Sequence, residues 1–113
     1  MINYENLCGN ERISMSGKTP IPVARAMRDI ARNLDLARRQ QRVTVDLLAE
    51  RANLSVPTVR ALLNEGKGSL ENFLRVARIL GLLDHVVAGA DPLNTPEGRL
   101  RADEDTPRRV RSR

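Results

Sequence analysis

The sequence predicts an all-α fold of five helices flanked by flexible N- and C-terminal segments. Three observations lead there. From Pro22 to about Ala90 apolar residues recur at helical spacing, and no stretch shows the alternation of a strand. Ser, Thr, Pro and Gly stand where that periodicity starts and stops, as helix caps and terminators do. Tyr4 and Phe73 are the only aromatic residues among 113, so the core must be built from Leu, Ile, Val, Met and Ala, which suit helix-on-helix packing. A chain of this length forms one domain with a modest core.

Residues 1–20, MINYENLCGNERISMSGKTP, lack periodicity and read as a flexible segment in which Met15 offers a second translation start. The SGKT at 16–19 has the composition of a phosphate loop. Arg12 stands where the loop needs its first glycine, and no strand precedes it, so no nucleotide site is expected. The first helix runs from Pro22 to about Gln41, with Val23, Met27, Ile30, Leu34 and Ala37 on its apolar face. Arg25, Arg28, Arg32, Arg38, Arg39 and Arg42 fall on or near the exposed side, diluted by Asp29 and Asp35. Such a run either meets a polyanion or simply solvates the face.

Thr44 is an N-cap for a second helix, VDLLAER, with Asp46 in its first turn and its end near Ala52. Asn53 sits at the sharp turn, where a left-handed backbone is needed. Ser55 caps the third helix, Pro57 fits its first turn, and Gly66 and Gly68 stop it. Ser69 caps a fourth helix, LENFLRVARIL, whose Leu70, Phe73, Leu74, Ala77 and Leu80 line one face up to Gly81. Leu82, Leu83, Val86 and Val87 make a short fifth helix that ends by Ala90, with the surface near Leu83 and Val87 available for dimerisation. The helical domain therefore spans 21–90. Residues 91–113 form a charged, Arg-rich tail ending in PRRVRSR, expected to be flexible when free.

Composition narrows the chemistry. The net charge is +5, the sequence pI is near 10.6, and Lys18 and Lys67 are the only lysines, so 17 of the 19 basic residues are Arg. Arg offers a rigid donor fork for phosphates and guanine edges, which favours a polyanionic partner, although a GC-rich genome gives the same Arg preference. Cys8 is the single cysteine and His85 the single histidine, too few for a disulfide framework or a structural zinc site. No apolar run reaches membrane-helix length and no signal-peptide core is present, so a soluble, cytoplasmic chain is expected. Asp84 and His85 are sequence neighbours without a placed nucleophile, and no glycine-rich cradle or metal cluster appears; neither catalysis nor a cofactor or metal is expected.

The stretch 44–66 carries a helix-turn-helix specification. Two helices that cross steeply need a small residue at their closest approach and apolar residues at fixed offsets. Ala49 is the small residue; Leu48, Ala52 and Leu54 lie before and within the turn, and Val59 and Leu62 anchor the third helix. Val56, Thr58, Arg60 and Ala61 are then expected to face away from the core. With these residues in place, positions 30–80 resemble the Xre/Cro-type, lambda-repressor-like helix-turn-helix family of bacterial and phage regulators. GLLDHVVAGADPLNTPEG, at 81–98, resembles the end of HipB-like antitoxins.

The resemblance implies a homodimeric repressor whose third helix enters the major groove of double-stranded operator DNA. Val56, Thr58, Arg60 and Ala61 would then meet base edges, with Arg60 able to hold a guanine bidentately and Thr58 to donate or touch a thymine methyl. Thr44, Asn53, Ser55, Asn64 and Lys67 would meet phosphates, supported by Arg38, Arg39 and Arg42. It also implies an antitoxin repressing its own operon, or alternatively a protein-interaction module that neutralises a HipA-like toxin kinase with DNA binding secondary. Two departures stand out: Val45 occupies a position where the family commonly has Gln, and the outward face of the third helix is mostly apolar or small.

Overall fold

A computed structural model of the chain describes residues 18–102. The expectations for 1–17, including Met15 and the start of SGKT, and for 103–113 lie outside the described residues. Within them there are six α-helices and no strand: α1 (Ile21–Gln40), α2 (Val45–Ala52), α3 (Val56–Glu65), α4 (Leu70–Ile79), α5 (Leu83–Gly89) and α6 (Pro96–Arg101). A 3-10 turn at Pro92–Asn94 links the last two. The fold is all-α, with one helix more than the five expected.

Local chemistry sets the boundaries. Thr44, Ser55 and Ser69 each cap a helix by accepting from the amide three residues on, those of Leu47, Thr58 and Asn72. Asn53 ends α2 at φ 59°, ψ 48°, the left-handed conformation expected of it. The sixth helix arises by the same means. In DPLNTP both prolines sit in first turns, where a missing N–H does no harm, and the Asp91 and Thr95 side chains accept from the amides of Leu93 and Gly98. A stretch that reads as a loop by its prolines is therefore two consecutive helix starts.

The core lies where α2, α3 and α4 meet, with Leu34 contributed by α1. Leu48, Val59 and Val76 are fully buried, and Val43, Ala49, Ala52, Leu62, Leu63 and Leu80 complete the cluster. Helix α1 packs chiefly on α3, α2 on both α3 and α4, and α5 on α4. The faces differ from the expected ones in two places. On α1 the buried residues are Ala31 and Leu34, whereas Val23 and Ile30 are 49% and 41% exposed. On α4, Val76 is buried and Leu70 is 70% exposed. Helix α1 thus turns Ala31 and Leu34 inward and the larger Ile30 outward. Ile30, Leu34, Phe73, Leu82 and Val86 then line an open apolar groove of about 480 Å³ between α1, α4 and α5.

Two contacts tie the ends of α1 into the body. The Gln41 Nε2 donates to the Leu80 carbonyl at 2.8 Å, joining the C-terminal ends of α1 and α4. At the other junction Gly66, with φ 69°, ends α3 directly against the α1 backbone: a Cβ there would stand 2.2 Å from the Met27 carbonyl oxygen. Gly81 also has positive φ, at 77°, but a Cβ there would meet nothing within 4 Å. Gly66→Ala is therefore expected to cost about 3 kcal/mol or more, the sum of left-handed strain and a backbone clash. Gly81→Ala carries the strain alone, about 1 kcal/mol. Urea unfolding of the two variants measures the difference, and equal losses would show that the α1–α3 approach is not close.

Candidate nucleic-acid interface

The α2–α3 corner is built as its sequence suggests. The backbone turns at left-handed Asn53, whose N–H bonds the Glu50 carbonyl, and Leu54 N–H closes back on Ala49 at 2.9 Å. Leu48, Ala49, Ala52, Val59 and Leu62 fill the angle, with half-buried Leu54 against them. Helix α3 thereby presents one side to solvent. Pro57, Arg60 and Asn64 are exposed and Ala61 is half-buried between them. With 57, 60, 61 and 64 separated by three, one and three residues, they form a single stripe opposite Val59, Leu62 and Leu63.

Of the four residues expected at base edges, the structure leaves two on this stripe, Arg60 and Ala61. Val56 is half-buried and packs against the core cluster, so it does not face away from it. Thr58 is also half-buried, and its hydroxyl lies 2.7 Å from the Ser55 Oγ, one of the two donating to the other. The correction for Val56 follows from helix geometry, whereas Thr58 stays at the edge of the exposed stripe. Position 56 lies one turn before Val59, on the flank of the buried sector, so Val56 packs against the core. Pro57 takes the outward place. Sequence reasoning assigned it only to helix initiation, although the helical wheel fixed by Val59, Leu62 and Leu63 already points it outward.

The expected phosphate contacts also divide. Thr44, Asn53, Ser55, Asn64 and Lys67 are all exposed around α3 and its flanking turns. The Thr44 and Ser55 hydroxyl oxygens accept from the Leu47 and Thr58 amides, so each cap can offer a phosphate its remaining helix-end N–H groups, and Thr44 its O–H as well. At α2 the Asp46 carboxylate shares that first turn and opposes an incoming anion.

Arg38 is not a free cation. Its side chain is 18% exposed; Nε donates to Asp35 Oδ1 at 3.0 Å, and an Nη donates to the Val43 carbonyl at 2.9 Å, clamping the end of α1 to the loop before α2. Arg39 gives its Nε to the other Asp35 oxygen but remains 57% exposed, keeping its terminal nitrogens for an outside partner. Arg42 is exposed at φ 59° and has no ion-pair partner among the described residues, as is true of Arg60, Lys67 and the exposed Arg51, which ends α2. No group of three or more His, Cys, Asp or Glu side chains among the described residues is placed to hold a metal. No described helix is long and apolar enough to cross a membrane.

Helix α3 thus carries one exposed forked donor, Arg60, with exposed Arg51 and Lys67 flanking it in sequence. Comparisons with models of protein families, with curated proteins and with solved structures returned no match.

The two arginines that share Asp35 have different jobs, and stability separates them. Arg38→Ala is expected to lower the unfolding free energy by about 2 kcal/mol, because the Val43 carbonyl and a half-buried carboxylate lose a charged donor. Arg39→Ala is expected to change it by about 0.5 kcal/mol or less. Chemical denaturation of both checks this, and a larger loss for Arg39→Ala would reverse the assignment.

Proposed function

We propose that this chain is a sequence-specific DNA-binding transcriptional regulator, a repressor that acts as a homodimer with α3 in the major groove. The observation that carries the reading is the α2–α3 corner. Its apolar residues lock α3 in place, and the locked helix turns Arg60 and its neighbours to solvent beside a set of uncompensated cations. A protruding helix of about 10 Å diameter suits a groove about 12 Å wide. Arg60 is the principal base reader; Arg39, Arg42, Asn53, Asn64, Lys67 and the helix-end amides at Thr44 and Ser55 supply phosphate contacts that set register. Val87, 63% exposed on α5, and the neighbouring apolar groove supply surface for the dimer contact. The reading requires neither cofactor nor metal, involves no catalysis, and places the protein in the cytoplasm.

A second reading rests on residues 91–102. The 3-10 turn and α6 pack chiefly on each other, and they leave Leu93 and Leu100 54% and 74% exposed. Exposed leucines on a small projecting unit fit a protein partner. The resemblance to HipB-like antitoxins makes that partner a toxin kinase, with the chain repressing its own operon.

Fluorescence anisotropy on duplexes from the DNA upstream of the gene tests the first reading. Binding is expected to weaken steeply with salt, and Arg60→Ala to lose about tenfold or more of the discrimination at one guanine while retaining the salt slope. Equal, weak affinity for every duplex would refute a regulator. For the second reading, a truncation ending at residue 90 is expected to lose co-purification with a toxin kinase encoded beside the gene. Retained co-purification would remove 91–113 from the contact.

A further inference from the structure

Hydrogen-bonding side chains on the exposed stripe of α3 are confined to Arg60 and Asn64. Pro57 and Ala61, one helical turn apart, carry none, and Thr58, off the stripe, has its hydroxyl 2.7 Å from that of Ser55. Along the axis Pro57 and Arg60 are about 4.5 Å apart at 1.5 Å per residue. That distance is little more than one base-pair step of about 3.4 Å. Whatever lies in the groove next to an Arg60-bound guanine is therefore met by a rigid pyrrolidine ring and a methyl group.

Apolar side chains cannot sense the N4 donor of cytosine or the O4 acceptor of thymine. The feature they can sense in the major groove is the C5-methyl of thymine. Building on the proposed DNA-reading role of α3, we infer that Pro57 and Ala61 form a methyl-reading surface beside Arg60. The half-site is then specified by a guanine and by a 5-methylpyrimidine within two base pairs of it. Pro57 serves this well because its ring is held by the helix and loses little conformational freedom on contact. Because the contact registers the methyl and not the exocyclic group, 5-methylcytosine substitutes for thymine.

The experiment uses the full chain and a duplex obtained by in vitro selection from a random library. The pyrimidine near the Arg60-dependent guanine is varied as thymine, deoxyuridine, cytosine and 5-methylcytosine, and affinity is read by anisotropy. Thymine and 5-methylcytosine are expected to bind within about twofold of each other, and deoxyuridine and cytosine about fourfold more weakly, the effect of one buried methyl. Pro57→Ala, which keeps a helix-compatible residue, is expected to shrink the thymine-to-deoxyuridine ratio below about twofold. Arg60→Ala is expected to abolish the guanine preference and leave that ratio in place.

Three results overturn the inference while leaving a DNA-binding regulator intact. One is a selected sequence without thymine or 5-methylcytosine tolerance within two base pairs of the guanine. Another is equal binding of thymine and deoxyuridine. The third is a thymine preference in which 5-methylcytosine is rejected as strongly as cytosine, the mark of hydrogen-bond reading at O4. Failure of the chain to select or bind any duplex overturns both the inference and the regulator reading.

Discussion

The structure depends on the left-handed turn at Asn53. One residue with positive φ reverses the chain between α2 and α3 within three residues, and the hydrogen bond from Leu54 to Ala49 closes it. Only with that turn can Ala49 and Ala52 bring the two helices close enough for Val59 and Leu62 to bury between them and α4. Asn tolerates this conformation because its short polar side chain lowers the penalty that a β-branched residue would meet. Every outward feature of α3 is a consequence: once Val59 is fully buried, the direction of Pro57, Arg60, Ala61 and Asn64 is settled by helical geometry.

A second theme is how an arginine-rich chain divides its charge. Some guanidinium groups are consumed by the fold: Arg38 bridges α1 to the following loop, and Arg32 and Arg75 pair with carboxylates on their own helices. Others stay uncompensated around the α2–α3 corner. Net charge alone does not distinguish these groups: every described ion pair joins an arginine to an acid three or four residues before it on the same helix. Asp29, Asp35 and Glu71 do so for Arg32, for Arg38 and Arg39, and for Arg75, whereas Arg42 and Arg60 lack a described partner. Exposed arginines without a described ion-pair partner thus remain at the α2–α3 corner, and also at Arg25 and Arg28 on α1 and Arg78 on α4.

The apolar surface is divided in the same way. The core closes around the fully buried Leu48, Val59, Val76 and Ala77, yet α1, α4 and α5 leave an open groove lined by Leu34 and Phe73. Helix α1 packs chiefly on α3, and Ile30 on its outer side lines this groove. Beyond α5 the chain starts two further helical turns by capping alone. Leu93 and Leu100 gain no core from them.

The sequence by itself determined where helices begin and end. Caps, first-turn prolines and left-handed stops act through bonds within four residues, so Thr44, Asn53, Ser55, Gly66 and Ser69 could be assigned from their neighbours. The helix-turn-helix corner was legible for the same reason, since its small and apolar positions lie within one short stretch. The missed sixth helix was legible too, had the caps at Asp91 and Thr95 been weighed above the prolines. Only the tertiary structure decided which sector of each helix is buried. Periodicity defines an apolar stripe about 100° wide, but the neighbours decide which edge of the stripe closes. That is why Ile30 and Leu70 are exposed, Val56 packs inward, and Arg38 bonds a carbonyl five residues away.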